Sequence, residues 1–329
     1  MVSGQQACLP VGGRDAGMTR PRGRHPHTRQ AQPAGPIVSL SGQCCEGKNI
    51  SRPNFVSGER SGCSLRKIVR SESKPLHPVP PRALDDMLPQ IPLLILCGGR
   101  GTRLGSLCAK CPKPMLPVAG SPFLAHVVKH FRKEGIRHFV FLTGYRADVI
   151  QRYFEAHAPP ASTLHFLRES TPLGTGGAVA QAVSRLRLEG PFLVVNGDTF
   201  SLFSVRPMIA ALSNADGAVA TVLKKSTARF GTLSINAVHS IVSFHEKEAC
   251  RGHHRINAGF YAFHPHLFVG RSVASPSSLE TDWFPFWLRE GCVFRAVFHA
   301  GPFLDIGTPD DYAQAAHILK KPQRRKFDK

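Results

Sequence analysis

Hydrophobic and polar positions change rhythm twice along the 329 residues. Up to residue 86 aliphatic residues are sparse, Gly, Pro, Ser, Gln and Arg crowd the chain, and no apolar period survives more than a few positions. Such a segment cannot bury enough surface to offset the entropy of ordering it. Residues 1–86 are therefore expected to be disordered, an extension that the native protein need not contain and that adds nothing to catalysis. The segment lacks the continuous apolar stretch of a signal peptide, and its prolines argue against a transit helix.

From Met87 the pattern turns globular, and strands alternate with helices. Residues 91–96 form an apolar run. Residues 121–134 place Phe123, Leu124, Val127, Val128 and Phe131 on one helical face, which Gly135 ends. Strand, helix and strand follow at 138–144, 147–157 and 164–169. A third helix is read from Gly177, and the strand FLVVNGD ends on Asp198. This alternation predicts a Rossmann-like, doubly wound α/β sheet. Beyond Gly217 come closely spaced strands (GAVATVLKK, FGTLSIN, SIVSFHEK, INAGFYAF), a helical stretch SLETDWFPFWLREG and a strand VFRAVFHA. They make the sheet mixed and add a smaller subregion. Thr308-Pro309-Asp310-Asp311 opens a last helix with a cap, an N1 proline and first-turn acids. The globular domain is expected over 87–319, with a basic tail at 320–329.

A net charge of +20 brings nucleic acid into consideration. Within the globular part the excess is scattered rather than striped, and no aromatic stacking motif accompanies it. It suits steering of anionic small molecules, with nucleic-acid binding only as a nonspecific side effect. Nine cysteines are scattered, which fits a reducing, cytoplasmic setting. Cys108 and Cys111 make a lone C-x-x-C without two further ligands nearby and are read as incidental. The His253-His254 pair is read as a solvated basic turn. No run of 18 apolar residues exists, so no membrane span is expected.

The chemistry concentrates in residues 96–118, LCGGRGTRLGSLCAKCPKPMLPV. A strand runs into Gly98, Gly99 and Gly101, then Thr102 and Arg103, and Lys113 follows between Pro112 and Pro114. Glycines expose backbone N–H groups to phosphate oxygens, arginine adds a forked donor and lysine a point charge. Together they describe a polyphosphate site, yet neither G-x-G-x-x-G nor G-x-x-x-x-G-K-[ST] occurs. Further motifs fall at strand ends. ESTPLGTGG holds Glu169, Gly174 and Thr175. VVNGDTF holds Asp198, and FLDIGTPDDY holds Asp305. SFHEK carries Glu246 and Lys247, and INAGFYAF carries Asn257 and Gly259. Taken singly these have ordinary readings as a glycine turn, a capping aspartate or a surface ion pair.

G-G-x-G-T-R-L followed by P-K-P-M resembles the signature of the sugar-1-phosphate nucleotidyltransferases. The resemblance covers residues 91–319 in family order. Within the family P-L-G-T-G-G, N-G-D-T-F and S-L-E-x-D look most like the D-glycero-D-manno-heptose 1-phosphate guanylyltransferases, with mannose-1-phosphate guanylyltransferases next. It implies transfer of a nucleoside monophosphate, from GTP by preference, to a sugar 1-phosphate with release of pyrophosphate. Arg103 and Lys113 would be catalytic. Gly98, Gly99, Gly101, Thr102, Glu169, Gly174 and Thr175 would hold the nucleotide, and Glu246, Lys247, Asn257 and Gly259 the sugar phosphate. Asp198 and Asp305 would hold Mg²⁺. Gly231 and Glu280 are weaker candidates. Cys97 departs from the family's usual alanine. The alternatives are a mannose- or glucose-type transferase using another triphosphate, or a regulatory or nucleic-acid-binding protein. The retained charged residues speak against a catalytically dead subunit.

Overall fold

Strand β1 (Pro92–Leu96) shows how the core is organised. Leu93 and Ile95 point into one apolar cluster and Leu94 into another, so the strand is covered on both faces. Its neighbours alternate in the same way: Phe139 and Phe141 against Val140 and Leu142, Leu193 and Val195 against Phe192 and Val194. A strand buried on both sides reads as a continuous apolar run, as the sequence shows. The computed structural model describes residues 81–109, 111–225, 227, 229–245, 252–270 and 276–320. All lie in one unit spanning Ile68–Lys329.

The other strands longer than two residues are β2 (His138–Thr143), β3 (Thr163–Arg168), β4 (Phe192–Asn196), β5 (Thr199–Ser201), β6 (Gly217–Lys224), β7 (Thr232–Ile235), β8 (Ile241–His245), β9 (His254–Phe263), β10 (Phe294–His299) and β11 (Phe303–Asp305). The main sheet has nine strands. β4, β1, β2 and β3 run parallel in that spatial order. β9 pairs antiparallel with β4 and also with β6, beside which β10 runs parallel. β7 and β8 extend the start of β9. The sheet is therefore mixed, as expected, with the parallel part built from the strand–helix alternation.

Helices α1 (Phe123–Lys133), α2 (Ala147–Ala156), α3 (Gly174–Leu186), α4 (Val205–Ala211), α5 (Phe284–Arg289) and α6 (Pro309–Lys320) complete the layers. In α1 the five apolar positions read from the sequence are all buried. Two expectations need correction. The ordered chain reaches upstream of Met87: Pro81–Met87 is helical, and Leu84, one turn before Leu88, is buried with it in the core. That i, i+4 pair was too short a pattern to stand out among prolines. His254 also opens β9 instead of sitting in a turn. Residues 1–80 and the tail 321–329 lie outside the described residues.

Candidate active site

In open α/β sheets ligands bind beyond the carboxyl ends of the strands. β1 ends at Leu96, β2 at Thr143 and β4 at Asn196, and two adjoining cavities open there. The smaller, about 230 Å³, is lined by Gly99, Gly101, Thr102, Arg103, Lys113, Asp198 and Gly307. The larger, about 1030 Å³, is lined by Gly98, Gly99, Arg100, Tyr145, Arg146, Arg168, Glu169, Gly174, Thr175, Asn196 and Asp198. Leu96, Gly99 and Asp198 belong to both and mark the junction.

The glycine loop is shaped by what stands beside it. Gly101 has φ +65°, and a Cβ there would lie 2.9 Å from both Cys108 Sγ and Lys113 Cβ. A Cβ on Gly98 would lie 2.8 Å from Glu169 Oε1, and one on Gly144 only 2.5 Å from it. Gly99 has open space at its Cβ position. Across the cleft Tyr145 Oη donates to the Cys108 and Ala109 carbonyls at 3.3 and 3.2 Å, and Arg146 donates to Ala109 at 3.0 Å. The turn after β2 thus anchors the loop after β1. Arg103 is exposed and makes no ion pair among the described residues.

Lys113 is buried (7% exposed) by a short turn that its flanking prolines start. Its Nζ donates to Asp198 Oδ2 at 2.6 Å and lies 3.6 Å from Asp305 Oδ1. Two three-residue strands bring these aspartates together. β11 pairs antiparallel with β5, Asp305 opposite Thr199, and Ile306 N–H donates to the Asp198 carbonyl at 3.1 Å. Burial pushes the Asp305 carboxyl up from the usual carboxylate range, the charge of Asp198 adds to this, and Lys113 and Arg229 oppose it. Asp305 Oδ1 is buried without a hydrogen-bond partner, and Gly307 packs against it so closely that a Cβ there would come within 2.9 Å. An orphaned carboxylate oxygen beside a second carboxylate suits a hard divalent cation that takes its other ligands from water and phosphate.

Arg229 was not found from the sequence. Its guanidinium pairs with Asp311 Oδ2 at 2.5 Å and approaches Asp305 Oδ2 at 4.0 Å, and it donates to Thr308 Oγ1 at 3.3 Å. Asp311 thus does more than stabilise the first turn of α6. The basic wall of Arg100, Arg146 and Arg168 was also missed; the G-Y-R after β2, at a strand's carboxyl end, was the available signal.

Glu169 accepts from Leu173 N–H at 3.0 Å while its other oxygen faces Gly98 and Gly144. Gly174 and Thr175 line the larger cavity, but as the start of α3, three residues earlier than expected. The Ser277 carbonyl accepts from Gly176 and Gly177 N–H at 2.8 and 3.4 Å, and this distant cap lets the helix begin at Gly174. The Thr175 hydroxyl is engaged with Glu280 and the Leu279 N–H. Asn257 and Gly259 flank a bulge in β9. Gly259 has φ +67°, and a Cβ there would lie 2.5 Å from Asn196 Nδ2. Glu246 and Lys247 lie outside the described residues. Cys97 is buried, donates to the Leu142 carbonyl at 3.3 Å, and is driven far up in pKa by burial and by the Glu169 charge. Cys108 and Cys111 are not joined in a disulfide. No helix among the described residues is long and apolar enough to cross a membrane.

Residues 93–321 match the family model described as nucleotidyl transferase. The chain is 33% identical over 232 residues to a D-glycero-alpha-D-manno-heptose 1-phosphate guanylyltransferase of Aneurinibacillus thermoaerophilus, covering 69% of this chain and 97% of that protein. It is 31% identical over 233 residues to the mannose-1-phosphate guanylyltransferase of Mycobacterium tuberculosis. That match covers 70% of this chain and spans only 65% of the mycobacterial protein. The crystal structure of HddC from Yersinia pseudotuberculosis complexed with GMP-PN superimposes with a TM-score of 0.63 at 31% identity, over 70% of this chain and all of that one. With its motifs gathered at the ends of β1, β2 and β4, the chain belongs to the nucleotidyl transferase family.

Proposed function

We propose that the protein transfers a guanylyl group from GTP to a manno-configured sugar 1-phosphate, D-glycero-D-manno-heptose 1-phosphate first, releasing pyrophosphate. The observation that carries this reading is Asp198, which lines both cavities and shares the Lys113 ammonium with Asp305. A nucleotide in the larger cavity and its phosphates in the smaller would meet there. The names of the relatives just described support the choice of base and sugar.

An oxygen of the sugar 1-phosphate attacks the α-phosphorus. A new P–O bond forms, the α–β bridging P–O bond breaks, and its electron pair leaves with pyrophosphate. The nucleophile is already ionised at neutral pH, so the protein needs no general base. It has to hold two anions in line and stabilise the charge that develops. Arg103, Thr102 and the N–H groups from Gly98 to Gly101 receive the β- and γ-phosphates, and Lys113 bridges the α-phosphate and the incoming phosphate. Glu169, Gly174 and Thr175 form the side of the cleft proposed for the base, Asn257 and Gly259 the sugar side, with Glu246 and Lys247 assigned by resemblance. Asp198 and Asp305 would hold Mg²⁺, which when bound neutralises phosphate charge. The proposed setting is the cytoplasm, where thiols stay reduced.

The test couples pyrophosphate release to a pyrophosphatase, with four triphosphates against a panel of sugar 1-phosphates. GTP with manno-heptose 1-phosphate is expected to give the fastest turnover. Faster turnover with mannose or glucose 1-phosphate, or with another triphosphate, would replace the substrate assignment. No release with any pair would overturn the reading.

A further inference from the structure

A hydrogen-bond chain whose direction is fixed at every link runs from the start of α3 to β9. Gly259 N–H donates to Asn257 Oδ1 at 3.0 Å, which decides which end of the amide faces it. Asn257 Nδ2 therefore donates to Tyr261 Oη at 2.8 Å, and the Tyr261 hydroxyl proton goes to Glu280 Oε1 at 2.9 Å. The other carboxylate oxygen accepts from Thr175 Oγ1 at 3.0 Å and from Ser278 Oγ at 2.8 Å. Both of those hydroxyls already accept backbone N–H groups, from Leu279 and from Glu280 and Thr281, so their protons are free only for Glu280. Three hydroxyl protons converge on one side chain. A carboxylate, an acceptor at both oxygens, satisfies all three; an amide would turn an N–H toward one of them.

Tyr261 is fully buried, so the link is shielded from water. Asn257 is half-buried, and the internal chain uses one of its two N–H bonds and one lone pair of its oxygen. The second N–H is not used by this chain of bonds, and the neighbouring Gly259 packs by its backbone on Asn196, which lines the larger cavity. A rigid amide of this kind discriminates among ligand hydroxyls because a wrong partner leaves a polar group unpaired.

We propose that Glu280 is a positioning residue for the sugar ligand: acting through Tyr261, it locks the Asn257 amide so that one N–H is presented to a hydroxyl of the sugar 1-phosphate. This rests on the transferase reading, with Asn257 on the sugar side. Glu280 also ties the 277–280 segment to α3, so a purely structural role has to be separated from positioning. Tyr261→Phe does this, because it cuts the link to Asn257 and leaves the bonds of Glu280 to Thr175 and Ser278 in place.

The experiment compares Tyr261→Phe, Glu280→Gln, Asn257→Ala and the double variant Tyr261→Phe/Asn257→Ala. KM for the sugar 1-phosphate is expected to rise about tenfold in each single variant, with KM for GTP within about twofold of the parent in Tyr261→Phe and Asn257→Ala, which leave the Glu280–Thr175 bond in place. The double variant should be no worse than Asn257→Ala alone, because both changes remove one interaction. In ligand-free ¹⁵N-labelled protein the two Asn257 side-chain N–H signals should be well separated, and Tyr261→Phe should move one of them upfield as its hydrogen bond is lost. Equal rises in both KM values or an unchanged sugar KM in Tyr261→Phe, or additive losses in the double variant, would overturn the inference. An Asn257 amide that Tyr261→Phe leaves unchanged would overturn it without any substrate. Absence of turnover by the parent enzyme is a failure of the transferase reading instead.

Discussion

Asp305 and Asp216 are both partly buried aspartates, and the fold treats them in opposite ways. At Asp216, just before β6, burial alone would push the carboxyl up. A hydrogen bond from His266 at 3.0 Å, one from Val293 N–H at 2.7 Å and the nearby histidines outweigh it and bring the group below its ordinary range. At Asp305 burial and the Asp198 charge win, and Oδ1 has no hydrogen-bond partner. One carboxylate is supplied with short hydrogen bonds by the fold; the other has, among the described residues, only the longer ion pairs to Lys113 at 3.6 Å and Arg229 at 4.0 Å. A buried carboxylate oxygen left without a hydrogen bond is an exception in folded proteins, which makes the pair a physical criterion for the site.

The largest effect that could break this contrast is on turnover. Lys113→Ala and Asp198→Ala should each lower kcat for pyrophosphate release by about 10²–10³, the usual loss when one preorganised charge is removed from a phosphoryl-transfer site. Their stabilities should diverge. Lys113→Ala leaves two carboxylates facing each other without their ammonium and should lower Tm in metal-free protein, with Mg²⁺ restoring part of it. Asp305→Asn removes a charge that burial and Asp198 disfavour and should raise Tm at neutral pH while abolishing activity. A fall in Tm for Asp305→Asn would remove the distinction between the two aspartates.

Asp216→Asn should do the reverse: activity retained per folded molecule, stability reduced by about 1.5–3 kcal/mol at neutral pH, the range for hydrogen bonds to a charged group. The sign in pH follows from linkage. A carboxyl held below its unfolded pKa contributes stability above that value, and the contribution disappears as pH falls through the folded pKa. Denaturant melts of parent and Asp216→Asn should therefore converge only once pH has fallen below the lowered folded pKa, beneath the unperturbed carboxylate range. A difference that persists there would mean lost packing, not lost charge.

How much of this was legible in the sequence differs between the same two kinds of place. The elements of the parallel half were readable because most carry their own period: β1, β2 and β4 as apolar runs, α1 and α2 as one-faced helices, with the more polar β3 read from its place in the alternation. The glycine loop, Lys113, Asp198 and Asp305 could be named because their local motifs are long. What joins them could not be read. The strands β5 and β11 have three residues each, too few for any period, and their pairing spans about a hundred positions. The earlier start of α3 depends on Ser277, Arg229 is defined only by its meeting with Asp305 and Asp311, and Glu280, a weaker candidate in the sequence, takes its role from the hydroxyls of Thr175 and Tyr261 on other elements.

The glycines sharpen the comparison at a smaller scale. Gly144 is required by the fold, since a Cβ would strike Glu169 at 2.5 Å, whereas Gly99 has open space and still lines both cavities. Gly144→Ala should lower Tm. Gly99→Ala should leave Tm unchanged and raise KM for GTP about tenfold, because the added methyl blocks the approach of phosphate to the backbone. An unchanged KM in Gly99→Ala would mean that the phosphates do not pass close to that residue.

The smallest effect belongs to a third buried acid, Cys97. Its thiol is 2% exposed, donates to the Leu142 carbonyl, and is kept protonated by burial and by Glu169. It stands in the loop itself, yet its chemistry is switched off: thiolate, the reactive form, is the species that this environment disfavours. Cys97→Ala should leave kcat and both KM values within about twofold and cost about 1 kcal/mol through lost packing and one weak hydrogen bond. Iodoacetamide at neutral pH should label half-buried Cys111 or Cys292 before Cys97, read by peptide mass spectrometry. Preferential labelling of Cys97 would show that the loop opens in solution far enough to expose its base, and Asp198 and Lys113 would then be more accessible than their present burial allows.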